Sequence, residues 1–313
     1  MKFDKKAPGR GVDIFAKLEN GKAMLEFSFY TEGQEKRTGY YADVYLYDRE
    51  GSCVLQFFYP MDSEEPAKGL LLHPHLWNSV EDPYLYRIEV FLLRQWEGQW
   101  SICDRLRCIF PLCTLKRVLG KGWSLNGRPF VLKAVEYELP QKVEAGVPRE
   151  ARVLQDIEKL QELGANAICL RKGGLEQGFY ELCCRRGLAL LWMGSENSIV
   201  LEPNSIARWG DLLNERGKPT DRYYFYRALW SDDPFVYLSQ DSLIRQENGL
   251  YQVTAYSNLK KVALYVEGHL FEFQSGAPEF LFFDVEIRRF PTVLTVETDS
   301  FGMSVTVYGM RYL

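Results

Sequence analysis

The sequence predicts a multi-domain β plus α/β protein: an immunoglobulin-like β-sandwich, a short βαβαβ unit and a C-terminal immunoglobulin-like β-sandwich. Three observations predict it. Residues 12–110 break into short apolar-alternating runs separated by turn signals. Residues 130–194 alternate strand-like and helix-like periods, the pattern of parallel strands with helical crossovers. From residue 223 the strand pattern returns and continues to the end.

In the first segment VDIFAKLE, AMLEFSFYT, ADVYLYD, CVLQFFY, LYRIEVFLL and QWSICDRLRCIF are the strands, and ENGK, DREGS and WEGQ are the turns. LWNSVEDPYLYRIEV (76–90) shows the logic. A Trp and an acidic loop lead to Pro83, then a strand places Tyr84, Tyr86, Ile88 and Val90 on one face and Arg87 and Glu89 on the other. In the middle segment FVLKAVEYE (130–138) reads as a strand. REARVLQDIEKLQEL (149–163) reads as a helix whose apolar face is Val153, Ile157 and Leu160, stopped by Gly164. AICLRK (167–172) is a strand, LEQGFYELCCRR (175–186) a helix stopped by Gly187, and LALLWMG (188–194) a strand. Their near-continuous apolar character fits burial on both faces. Residues 195–222 read as loop. FVYLSQD, LYQVTAYS, KVALYVEG, HLFEFQ, EFLFFDVEI, TVLTVET and MSVTVYGMRYL are the final strands. The domain boundaries expected are therefore 1–111, 112–222 and 223–313.

Composition excludes several classes. The 313 residues carry a net charge of −4 and no basic face, so nucleic acid is not an expected partner. No apolar run is long enough to cross a membrane, and MKFDKKAPGRGV lacks the apolar core of a signal peptide. Seven cysteines, an odd number without metal-site spacing, read as reduced thiols in a reducing compartment, and the expected location is the cytoplasm. Adjacent Cys183 and Cys184 are poorly placed for a useful disulfide. His73 and His75 offer two metal ligands in HPH without an evident third, and no cofactor is expected.

The order sandwich, βαβαβ, sandwich is unusual, and the wording of its segments adds to it. LWNSVEDPYLYRIEV resembles the end of the immunoglobulin-like domain that precedes the barrel in glycoside hydrolase family 2, the β-galactosidase and β-glucuronidase family. WSLNGRPFVLKAVEYE (123–138) resembles the entry into that family's first barrel strand. GANAICLRK resembles its second strand, and FYELCCRRGLALLW its second helix and third strand. GKPTDRYYFYRALWSDDPFVYL (217–238) resembles the exit from the barrel into the next sandwich, and VTAYSNLKKVALYVEGHLFE the strand pair that opens it.

The resemblance implies a glycosidase built on a TIM barrel, but such a barrel needs about 250 residues. Only about 110 separate the two sandwiches here, in segment 112–222. The likeness stops near Trp192 and resumes near Gly217, which implies a truncated, three-stranded barrel remnant. In the family the acid/base and the nucleophile sit at the ends of the fourth and seventh strands, which implies that both are missing. Surviving positions depart as well: where the family has Arg then His after GANAI, this chain has Cys169 and Lys172. Where it has Asp-Glu after FYELC, this chain has Cys184 and Arg185. The first-strand end, usually an Asn followed by His-containing residues, reads Glu136-Tyr137-Glu138.

A replacement site would lie at the C-terminal strand ends, which carry Glu136, Glu138, Arg171, Lys172, Trp192 and Glu196. Two carboxylates beside a Trp suit a glycosidase or a sugar cleft. The structural reading is that Glu136 and Glu138 alternate along a strand edge and are solvated, or pair with Arg171. Arg171, Gly173 and Gly174 could also cradle an anion at the start of the following helix. Three functions are open at this point: a non-catalytic pseudoenzyme that binds a glycan or a protein, a β-glycosidase with a rebuilt or intersubunit site, and an assembly module. A three-stranded parallel sheet leaves open edges, so a homo-oligomer or a partner protein is expected to cover it.

Overall fold

The structure, a computed structural model, describes residues 1–5, 11–33, 37–118, 120–140, 148–170, 176–192, 206–239, 243–276 and 278–308. The chain is mostly strand and divides into two units, residues 1–131 with 175–189, and residues 132–174 with 190–313.

The first unit contains the expected sandwich. One sheet has the order Val12–Glu19, Lys22–Phe29, Ala67–Leu72; the other has the order Cys53–Pro60, Tyr40–Tyr47, Tyr86–Trp96, Gln99–Phe110. All these pairings are antiparallel. Alternation decides which side chains meet: Ala23, Leu25, Phe27 and Phe29 are buried from one sheet, and Tyr40, Ala42, Val44 and Leu46 from the other. Phe27 and Phe57 join the two layers edge to face at 5.1 Å. Tyr84, Tyr86, Ile88 and Val90 are buried as their alternation predicts. The strand Ala67–Leu72 was not among those expected; three successive leucines hide the alternation that the fold imposes, with Gly69 and Leu71 inward and Leu70 and Leu72 outward.

A small antiparallel sheet, Leu115–Val118, Gly122–Leu125 and Arg128–Phe130, follows. The helix Gln177–Arg185 docks in this unit through the loop that begins at Trp77. Trp77 Nε1 donates to the Cys184 carbonyl at 3.0 Å, and Ser79 Oγ donates to the Gly187 carbonyl at 2.8 Å. Gly187 has φ +74°, and a Cβ there would lie 2.5 Å from the Ser79 carbonyl oxygen.

The second unit contains the parallel pairs and the C-terminal sandwich. The helix Arg149–Glu162 buries Val153, Ile157 and Leu160, the face read from the sequence, and Gly164 ends it at φ +85°. The C-terminal sheets are Val236–Leu238, Ile244–Arg245, Tyr251–Ser257 and Glu279–Val285 on one side, and His269–Ser275, Lys261–Val266, Thr292–Glu297 and Gly302–Val307 on the other. Val253, Ala255, Val262, Leu264, Phe280, Phe282, Leu294 and Val296 form the core. Residues 223–230 differ from expectation: Asp221–Trp230 is a helix, and Tyr223, Tyr226 and Trp230 are its buried side. Among the described residues no helix is long and apolar enough to cross a membrane.

Candidate functional site

The candidate site lies on a four-stranded sheet, ordered Ala189–Trp192, Ala167–Leu170, Ala134–Tyr137, Ile206–Arg208. The sequence predicted three strands and read residues 195–222 as loop. The fourth strand is short and has no period of its own. It is defined by pairing parallel to Ala134–Glu136, on the edge opposite Ala167–Leu170.

Register sets the two faces. Partners across parallel strands share a face, so Val135, Ile168 and Ala207 stand on one side and Cys169, Glu136 and Arg208 stand in a row on the other. The Val135 side carries Tyr137, whose hydroxyl donates to Asp156 Oδ2 of the Arg149–Glu162 helix at 2.9 Å. Arg152 Nε is 3.2 Å from Asp156 Oδ1 but out of line for a hydrogen bond. Burial pushes the Asp156 carboxyl above its ordinary range, and the Tyr137 hydrogen bond and the Arg152 charge pull it part of the way back.

On the other side Glu136 is mostly covered, at 15% side-chain exposure, and its Oε2 lies 3.8 Å from Nε of Arg208. Arg208 is 69% exposed, so this pair is worth little, about 0–1 kcal/mol. Cys169 is fully buried beside Glu136; burial, then the Glu136 charge, pushes its thiol up to about 12. It is a neutral, unreactive thiol at pH 7. Glu138 lies past the strand end and is exposed. Trp192 is the last residue of its strand. Arg171, Lys172 and Glu196, with Gly173 and Gly174, lie outside the described residues. Arg208 is a neighbour of Glu136 that the sequence does not reveal. It comes from a segment read as loop, and only the pairing of strands 72 positions apart reveals it.

The stretch that carries the family likeness is a packed structural joint. His75 Nε2 meets Asp82 at 2.5 Å and its ring stacks on Tyr84 at 3.9 Å, while Tyr86 Oη accepts the His75 backbone N–H at 2.8 Å. Asn126 Nδ2 donates to the Trp77 carbonyl at 2.9 Å. Two open clefts of about 400 and 470 Å³ flank His73. Among the described residues no three His, Cys, Asp or Glu side chains come together as a metal site.

No family model and no curated protein matches the chain. Solved structures do. An FMN-binding β-glucuronidase from Faecalibacterium prausnitzii L2-6 superposes with a TM-score of 0.78 over 98% of this chain and 75% of that one, at 15% identity. The fold is that of glycoside hydrolase family 2. A family 2 member from Bacteroides cellulosilyticus agrees with a TM-score of 0.73 over 99% of this chain at 14% identity, and a β-glycosidase from Bacteroides vulgatus with 0.72 over 94% at 14%. This chain spans 64% and 63% of those two proteins. The family likeness read from LWNSVEDPYLYRIEV and the segments after it agrees with these matches, which cover 94–99% of this chain.

Proposed function

We propose that this chain is a family 2-like protein with a truncated barrel and without glycosidase turnover, serving as a glycan- or protein-binding relative of the enzymes. The observation that carries the reading is the sheet order. Ile206–Arg208 pairs beside Ala134–Tyr137, as the last strand of a closed (β/α)8 barrel pairs beside the first. Only residues 193–205 separate it from the strand ending at Trp192. A barrel uses about 30 residues for each strand and helix, so 13 positions cannot hold the four units between a third strand and an eighth. The family's acid/base and nucleophile belong to that missing stretch.

The chemistry at Glu136 supports the same reading. A retaining glycosidase needs two carboxyls about 5–5.5 Å apart; among the described residues, those in register with Glu136 are Arg208 and the buried thiol Cys169. Domain boundaries at 111 and 222 and a cytoplasmic location belong to this proposal, the latter supported by seven free cysteines.

The test is hydrolysis of chromogenic β-galactosides, β-glucuronides, β-mannosides and β-glucosides by the purified chain, with Glu136→Gln, Glu138→Gln and Glu196→Gln in parallel. No turnover on any substrate is expected. Turnover abolished by one of the three substitutions would overturn the proposal and make the chain a glycosidase with a rebuilt site.

A further inference from the structure

The outward face of the four-stranded sheet in the first sandwich is unlike an ordinary solvent face. Alternation and register place Tyr41, Tyr45, Phe58, Phe91 and Trp100 on it. Tyr41, Phe58 and Trp100 touch one another, with ring centroids 5.0, 5.1 and 5.5 Å apart. Phe58 and Trp100 are each about half exposed, at 47% and 50%, and Ile102 beside them is 67% exposed. Burying such rings elsewhere would stabilise the fold, so a solvent face that keeps them points to a ligand.

Beside the rings stands a cationic cluster. Arg105 Nη2 and Arg107 Nε donate to Glu89 at 2.8 and 2.6 Å, and Arg87 Nε lies 3.8 Å away. Three guanidiniums thus share one carboxylate. Burial alone would raise the Glu89 pKa, but the two hydrogen bonds and the cationic charges outweigh it, and the group stays ionised below its ordinary range. Arg105 lies over Phe91 and Arg87 over Tyr47, at 5.0 and 4.6 Å from the ring centres. The guanidiniums are held in place before any ligand arrives. Asp43, also on this face, accepts from the Tyr45 hydroxyl at 2.7 Å. Three arginines against two carboxylates leave this face a small positive excess on a molecule of net charge −4.

We propose that this face binds an acidic oligosaccharide, with pyranose C–H faces against the Tyr41–Phe58–Trp100 cluster and a sugar carboxylate on Arg105 and Arg107. Charge complementarity selects an anion. The sheet face selects a glycan over an extended acidic peptide. The middle strands, Tyr40–Tyr47 and Tyr86–Trp96, spend their backbone N–H and C=O groups on ladders to both neighbours, so a peptide lying on the face finds no backbone partner. A sugar needs none, because rings and side chains supply its contacts. This inference stands apart from the reading of the parallel sheet.

The experiment is calorimetric titration of the full chain with a short oligogalacturonate, its methyl ester and poly-glutamate. Oligogalacturonate is expected to bind, the neutral ester at least about tenfold more weakly, and poly-glutamate no better than the ester. Trp100→Ala and Phe58→Ala should each weaken binding about two- to tenfold, while each variant still melts cooperatively. Phe15→Ala, on the other sheet, should change nothing. No binding of oligogalacturonate, poly-glutamate binding as tightly as the sugar, or full affinity in both ring variants would overturn the proposal.

Discussion

Replacing Gly187 by Ala tests how the helix Gln177–Arg185 is joined to the loop that begins at Trp77. Gly187 sits at φ +74°, where a Cβ costs about 1–2 kcal/mol on backbone grounds alone. The added carbon would also lie 2.5 Å from the Ser79 carbonyl oxygen and from the Val80 Cα. Both are backbone atoms, so no rotamer relieves the contact and the segments must separate, at the about 1–3 kcal/mol typical of overpacking. Separation weakens the buried Ser79 hydroxyl bond to the Gly187 carbonyl, worth about 1 kcal/mol. The total expected is about 3–6 kcal/mol. Gly98 supplies the control: it has φ +78°, and its Cβ would meet nothing within 4 Å. Gly98→Ala should therefore cost only the backbone amount. Urea unfolding followed by tryptophan fluorescence measures both. Losses that agree within about 1 kcal/mol would mean that the close approach to Ser79 is not what holds the helix, and the reasoning would fail.

Further outcomes are expected elsewhere. Glu89 has a depressed folded pKa, so its contribution is present above the unfolded value near 4.3 and is lost as pH falls through the folded one; Glu89→Gln should flatten the acid limb of the stability profile. Asp156 runs the other way. Its pKa is raised by burial, so its favourable contribution is present below an unfolded value near 3.9 and is lost as pH rises through the folded value; Asp156→Asn should lose stability more slowly than the wild type over that rise. Tyr137→Phe leaves Asp156 buried without its hydroxyl donor and should cost about 1–3 kcal/mol by chemical denaturation. A thiol reagent at pH 8 should modify exposed Cys53 first, because burial holds Cys113 up near 11 and Cys108, Cys169 and Cys184 up near 12; rapid modification of any of these four would contradict the packing.

Elements whose side chains obey one period were readable from the sequence, and those defined by a distant partner were not. YYADVYLY buries every second residue, and REARVLQDIEKLQE buries every third or fourth, so both announce themselves. YYFYRALW has aromatics all round. The sequence pattern reads as the beginning of a strand region, although Tyr223, Tyr226 and Trp230 are at helical spacing. AKGLLL has no visible alternation because its leucines fall on both faces; the core behind Gly69 and Leu71 decides which face is inside.

The candidate site was less readable, for a related reason. Glu136 was identified as the carboxylate at a parallel strand end, and its position follows from local sequence. Its neighbours, Cys169 on one side and Arg208 on the other, come from strands that only long-range pairing brings beside it. Nothing near Arg208 in IAR marks it as a strand. The same three residues add a fourth parallel strand on the free edge of Ala134–Tyr137, at the opposite end of the sheet order from Ala189–Trp192. One non-local pairing therefore supplies both the guanidinium nearest Glu136 and the fourth strand on which the proposed reading of the sheet rests.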